Sequence, residues 1–208
     1  MFNLNSILVS ENGRNILLKD IIRESDIFIN SFLKKRELIF FLCNNTIDSI
    51  SLYVSFINKG VVPILINSDL EGSLIRDIIE KYNPSYIFTP LTDQNYNLKY
   101  AEFLTYNSFS ILKSENSFQT ELDSELAILL SSSGSTGSPK LIRISYKNLL
   151  SNTISISNYL NLNSDEIAIT NLPMNYSYGL SIINSHLYVG AKIVVTEKSI
   201  IQRDFWEL

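Results

Sequence analysis

In "SSSGSTGSPK", residues 131–140, small hydroxyl side chains and two glycines are followed by a proline and a single lysine. That composition packs no core but suits a polyanion. Gly134 and Gly137 can take positive φ and bring the backbone close to a ligand. Ser132, Ser133, Ser135 and Thr136 can donate hydrogen bonds, and Lys140 adds a compact positive charge. Hydrogen bonds to a charged group contribute about 1.5–3 kcal/mol each, so a few of them would hold a nucleotide's phosphates. The same composition also makes a solvent-exposed linker, and residue types alone leave both readings open. The segment is not a Walker A loop, which needs Gly-Lys-Ser/Thr where this chain has Pro139-Lys140-Leu141. It also lacks the G-x-S-x-G pattern of a nucleophile elbow.

A loop of this kind works only if a rigid element delivers it. "ELAILLSS" reads as a strand running straight into it, "KLIRIS" as the strand that leaves it, and "YKNLLSNTISISNYL" as a helix with Ser145 as N-cap. Upstream, strand and helix patterns alternate. "LIFFLC" is a buried strand, "TIDSISLYVSFINKG" a helix closed by Gly60, and "VVPILIN" a strand. "LEGSLIRDIIEKY" follows as a helix stopped before Pro84, and "SYIFTP" as a further strand. Leu70, Leu74, Ile78 and Ile79 recur at helical spacing and give one apolar face to lay on a sheet. Strands joined by crossover helices imply an α/β fold with a mostly parallel sheet flanked by helices. Residues 15–35 predict a leading helix, "KYAEFLTY" and "SFSILKS" a hairpin, "EIAITN" and "AKIVVTE" strands, and "SIINSHLYVG" a helix ending at Gly190.

The bulk properties exclude several classes. With 208 residues, 45% hydrophobic, and a net charge of −4, the chain reads as one globular unit, or one large domain with a smaller appendage, that can bury a sizeable core. The acidic balance argues against nucleic acid, and the Lys34-Lys35-Arg36 cluster is better explained as a solvated helix end. The most apolar stretch, residues 38–57, is interrupted by "NNTIDS", so no membrane span is expected. The single cysteine, Cys43, reads as core filler and fits a reducing compartment, and no secretory signal is visible at the N-terminus; together these predict a cytoplasmic protein. His186, the only histidine, falls in a predicted helix and reads as structural.

"SSGSTGSPK" closely resembles the signature loop of the AMP-forming adenylate-forming superfamily, [ST]-S-G-[ST]-T-G-x-P-K, and Ser132 through Lys140 match every constrained position. That superfamily includes acyl- and aryl-CoA synthetases, luciferases and the adenylation domains of peptide synthetases. "LPMNYSYGL" is similar to its next motif, L-P-x-x-H-x-x-G-[LM], with Pro173, Gly179 and Leu180 in place. The βα series over residues 38–89 also looks like the family's opening subdomain.

The resemblance implies ATP and Mg²⁺ as cofactors and a small carboxylic acid as substrate. The carboxylate attacks the α-phosphate, pyrophosphate leaves, and a thiol of CoA or of an acyl-carrier protein captures the acyl-adenylate. On the same basis Ser132 lies near the metal, and Ser133, Gly134, Ser135, Thr136, Gly137 and Lys140 hold phosphates, with Lys140 catalytic. Tyr176 and Gly179 border the substrate; from residue type alone, Tyr176 and Tyr178 are equally readable as core aromatics. Several positions depart from the family pattern. Leu141 stands where glycine is usual, Tyr146 follows Ser145 where histidine is usual, and no aspartate replaces Tyr176 to hold an α-amino group. The adenine motif Y-G-x-T-E, the ribose-binding aspartate and the C-terminal domain are not found. Residues 1–208 therefore read as an incomplete N-terminal AMP-binding domain without its C-terminal domain. The alternatives are a non-catalytic remnant, or half of a split ligase with a separate C-terminal chain, acting as a nucleotide- or acyl-binding or interaction module. A domain cut in this way is expected to leave apolar surface and a sheet edge uncovered.

Overall fold

A computed structural model describes residues 1–91, 100–115, 121–131 and 140–208. In chain order the elements are β1 (Ile7–Val9), β2 (Asn15–Leu17), α1 (Leu18–Asn30), β3 (Leu38–Cys43), α2 (Ile47–Lys59), β4 (Val62–Asn67), α3 (Gly72–Tyr82) and β5 (Tyr86–Pro90). After these come β6 (Tyr100–Tyr106), β7 (Phe109–Ser114), β8 (Leu126–Ser131), β9 (Leu141–Ser145), α4 (Tyr146–Tyr159), β10 (Ile167–Ile169), α5 (Ser177–Val189), β11 (Lys192–Val194) and a 3₁₀ turn (Arg203–Glu207).

The helix boundaries follow local chemistry. Thr46 caps α2 by accepting the Ser49 N–H, and Gly60 ends that helix at φ 75°, where a side chain would be strained. Asn83 does the same for α3 just before Pro84. Ser145 and Asn148 form a reciprocal capping box on α4, as the sequence predicts for the cap. From Ser49 to Ile57 every residue of α2 is buried, so this helix must run through an interior. Its serines make that possible: the Ser55 and Ser25 hydroxyls meet at 2.6 Å where α1 and α2 pack closely.

The strands form a seven-stranded sheet, order β6-β7-β5-β3-β4-β8-β9, and a four-stranded sheet, order β10-β11-β1-β2. In the large sheet β5, β3, β4 and β8 are parallel, as helical crossovers demand, while the β6–β7 hairpin and β9 add antiparallel edges. Successive side chains of β3 point to opposite faces. Ile39 and Phe41 join a core shared with α1, α2, α5 and the small sheet, whereas Phe40 and Leu42 pack with Ile75, Ile78 and Ile79 of α3. The order of layers is thus α3, large sheet, helices, small sheet.

Three expectations need correction. The leading helix starts at Leu18, because Asn15–Leu17 pairs with β1 around a turn at Gly13 (φ 77°), and it stops at Asn30. The helix expected from Ser181 begins at Ser177, so Tyr178 and Gly179 lie inside it. A second, smaller sheet stands beside the expected one; it joins Ile7–Val9 to Lys192–Val194 across almost the whole chain.

Candidate functional site

In a parallel sheet the C-terminal ends of the strands lie on one edge, and a crevice opens there where successive connections leave on opposite faces. Here β3 hands the chain to α2 on one face and β4 hands it to α3 on the other. The crevice therefore opens at Cys43 and Asn67, which face each other in register. Beside them runs β8, with Leu130 opposite Leu65, ending at Ser131. The hydroxyl-rich loop follows in the chain. Ser132, Ser133, Gly134, Ser135, Thr136 and Gly137 lie outside the described residues, and Lys140, where the chain becomes described again, is exposed one residue before β9.

The small sheet points the ends of its parallel strands at the same place. A cavity of about 250 Å³ is lined by Ser10 and Glu11 after β1, Asn45, Thr46 and Asp48 at the head of α2, and Thr196 and Glu197 after β11. Its carboxylates are differently tuned. The Thr196 hydroxyl donates to Glu11 and holds its pKa below the usual carboxylate value, with the Lys198 ammonium 3.7 Å away adding to the effect. Burial pushes Glu197 up against an opposing hydrogen bond from Asn44, and the nearby charges of Asp69 and Glu11 push it further. Asp48 accepts from the Ser108 hydroxyl and the Asn107 amide and so ties the β6–β7 turn to α2. Among the described residues no group of three or more His, Cys, Asp or Glu stands together as a metal site.

Above this crevice the segment Thr170–Tyr176 leads into α5. Tyr176 is the N-cap residue, with extended backbone and 47% exposure; Tyr178, in the first turn of the helix, is 68% exposed. Neither is a core aromatic. Gly179 is buried, and the reason is steric: a Cβ there would stand 2.3 Å from the Pro173 carbonyl oxygen and 2.7 Å from that of Leu172. Its position thus allows α5 to fold back on its own lead-in. Between α4 and α5 lies a cavity of about 500 Å³, lined by Leu130, Arg143, Asn148, Asn152, Leu180 and Asn184 among others. It is continued by a second of about 430 Å³ lined by Ile156, Tyr159, Tyr178, Ile182 and His186, and the two share Asn152, Ser177 and Ser181.

Tyr146, at the family's histidine position, turns away from this region. Its hydroxyl lies over Gly60, near the spot a Cβ would occupy, beside the Arg36 guanidinium; burial raises its pKa and Arg36 opposes that rise. It buttresses the bend between α2 and β4. His186 donates from Nδ1 to the Ile182 carbonyl at 2.8 Å within its own helix, a packing role with one ring edge toward the groove. Sequence reasoning misses Asn45, Glu197 and Asn184, whose partners are all distant along the chain. The one local signal is the "NNT" that breaks the apolar run just where β3 ends, and on sequence alone it reads as no more than an interruption.

The model of the AMP-binding enzyme family matches residues 28–208. A 2-succinylbenzoate–CoA ligase of Bacillus cereus (strain ATCC 10987 / NRS 248) is 24% identical over 170 residues, 80% of this chain and 34% of that protein. The chain thus spans about a third of the length of the curated relatives it matches. Among solved structures, apo MatB from Rhodopseudomonas palustris superposes with TM-score 0.75 at 17% identity, over 94% of this chain and 43% of that one. An E. coli MenE variant with bound OSB-AMS gives 0.73 at 16% identity, over 97% and 45%. These likenesses establish the shared fold, and the family match, covering most of the chain and both motif segments, shows that the chain belongs to the AMP-binding enzyme family.

Proposed function

We propose that this chain supplies the phosphate-binding part of an ATP-dependent ligase that activates a carboxylic acid as its acyl-adenylate and passes the acyl group to a thiol of CoA or of a carrier protein. The observation that carries this reading is where β8 ends in an AMP-binding fold: Ser131, the residue before the hydroxyl-rich segment in the sequence, lies at the C-terminal edge of the parallel strands, where the crevice opens. In the first step a carboxylate oxygen forms a bond to the α-phosphorus of ATP, the bond to the bridging oxygen breaks, and pyrophosphate departs with its electron pair. In the second, the thiol sulfur bonds to the acyl carbon, AMP leaves, and the thiol proton is lost to solvent or base. Such transfers depend on positioning and on charge stabilisation more than on covalent help from the protein. Ser133, Gly134, Ser135, Thr136 and Gly137 bind the β- and γ-phosphates through hydroxyl and backbone N–H groups. Lys140 places its ammonium where charge grows on the leaving pyrophosphate.

Mg²⁺, when bound, neutralises phosphate charge. A single protein hydroxyl, Ser132, together with phosphate oxygens is a donor set of the kind that ion accepts. Tyr176 borders the substrate at the head of α5. The groove between α4 and α5 has no Asp or Glu among the described residues that line it, which supports an acyl or aryl tail without an ammonium group. The named relatives, 2-succinylbenzoate–CoA ligases, support CoA as the acceptor.

We further propose that residues 1–208 form the first portion of the working ligase. The share of the relatives that is matched supports this, as do apolar side chains left exposed late in the chain: Tyr159 at 86%, Ile167 on an edge strand at 65%, Ile201 at 89% and Trp206 at 74%. The test is Lys140→Ala in the complete enzyme. Losing one charge-assisted contact of about 1.5–3 kcal/mol should slow carboxylate-dependent ATP–pyrophosphate exchange roughly ten- to a hundredfold. Unchanged exchange would reject the assigned role.

A further inference from the structure

One side chain, Asn45, joins segments more than a hundred residues apart. Its Nδ2 donates to the carbonyl oxygens of Thr170 and Leu172, each at 2.9 Å, and its Oδ1 accepts the Met174 N–H at 3.1 Å. The amide orientation is dictated by these partners, because the flipped form would set Oδ1 against two carbonyls. Asn45 is itself held rigidly: it sits between the end of β3 and Thr46, the cap of α2. Further along α2, the Tyr53 hydroxyl donates to Oδ1 of Asn184 in α5 at 3.0 Å, in full burial. The β3–α2 connection thus grips the lead-in to α5, and α2 itself grips its middle. The Leu172 carbonyl has a second close neighbour, since a Cβ on Gly179 would stand 2.7 Å from it. It is confined between the Asn45 amide and the bare Cα of Gly179, and Tyr176 is the exposed residue that this turn presents.

We propose that Asn45 is a positioning residue: acting with Gly179 on the Leu172 carbonyl, it fixes the 170–176 turn and so the place of Tyr176 above the crevice. That Tyr176 borders a substrate rests on the proposed function; the positioning itself does not. The Asn45 side chain spans the C-terminal edges of both sheets, so it also sets the small sheet's β10 exit against the mouth of β3 and β4.

The test is native-state amide hydrogen exchange, read residue by residue, in the wild-type polypeptide and in Asn45→Ala and Asn45→Asp. In Asn45→Ala the amides of Met174 and Tyr176 should exchange at least about tenfold faster, while those of β3 and β4 keep their rates, the mark of local opening. Asn45→Asp supplies a signature that general destabilisation lacks. A protonated carboxyl can donate to one carbonyl and accept from Met174, whereas an ionised one cannot donate. After correction for intrinsic exchange, protection of the turn should therefore return as the pH falls through the carboxyl's titration. Unaltered exchange at Met174 in Asn45→Ala, equal acceleration of every amide, or pH-independent protection in Asn45→Asp would each overturn the proposal. Should the exchange shifts appear while the complete enzyme shows no adenylation, the positioning stands and the proposed function falls.

Discussion

Replacing Gly179 by alanine sets two effects of opposite sign against each other. Gly179 lies inside α5, where an added methyl favours helix by roughly 1 kcal/mol. That methyl would also meet the Pro173 carbonyl oxygen at 2.3 Å, the Leu172 oxygen at 2.7 Å and the Pro173 carbonyl carbon at 2.9 Å. All three are backbone atoms in a turn already held by Asn45, so no side chain can swing aside. Overpacking of this kind costs about 1–3 kcal/mol, and backbone contacts this short belong at the upper end. The net expectation is a loss of about 2 kcal/mol, which for a chain of this size lowers Tm by roughly 4–8 °C. The assay is urea unfolding followed by far-UV circular dichroism, where the midpoint should fall with the slope unchanged. Gly72→Ala in α3 is the internal control. Nothing lies within 4 Å of a Cβ there, so it should be neutral or mildly stabilising. Equal effects at positions 179 and 72 would refute the steric reasoning.

Cys43 is buried and its thiol is pushed up to about 12 by desolvation, so a thiol reagent at pH 8 should label it only as fast as the chain unfolds; rapid labelling of the native protein would contradict its burial. Because the folded pKa is the raised one, stability is intact below the unfolded thiol's value near 8.5 and declines as pH rises through it toward 12, by about 1.4 kcal/mol per pH unit. Urea midpoints for Cys43→Ala against wild type should show the slope disappear in the variant between roughly pH 8.5 and 10, below the range where the partly buried tyrosines Tyr100 and Tyr106, whose pKa values burial also raises, add a slope of the same sign. Tyr53→Phe strands Oδ1 of buried Asn184 and should cost about 1–3 kcal/mol, whereas a loss below 0.5 kcal/mol, roughly the floor for a made hydrogen bond, would mean that the contact between α2 and α5 is dispensable.

Where a stretch carries its own periodicity, the fold is legible from sequence. The β3-to-β5 series, the strand into the serine-rich loop and the Ser145 cap all depend on neighbours within a few residues. The family resemblance carried by the loop motif is legible for the same reason, since it lies in contiguous residue types. What escapes is non-local. Strand β1 has only three residues, too few to show alternation, and the small sheet that joins it to the expected strands β10 and β11 exists because Leu8 meets Ile193 across the fold. The start of α5 is hidden because a glycine argues against helix, and only the approach of the Leu172 and Pro173 carbonyls explains why Gly179 belongs in one. Asn45 looks like an ordinary break after a strand, because its three partners, Thr170, Leu172 and Met174, stand 125 to 129 residues further along the chain.

The most direct measurement is the identity of the nucleotide product. The complete enzyme would be given ATP labelled at the α-phosphate, a panel of carboxylic acids, and CoA. Attack at the α-phosphorus predicts AMP and pyrophosphate in equal amounts, strictly dependent on one class of carboxylate and reduced by Lys140→Ala. Formation of ADP, or no nucleotide turnover with any acid, would contradict the proposed function.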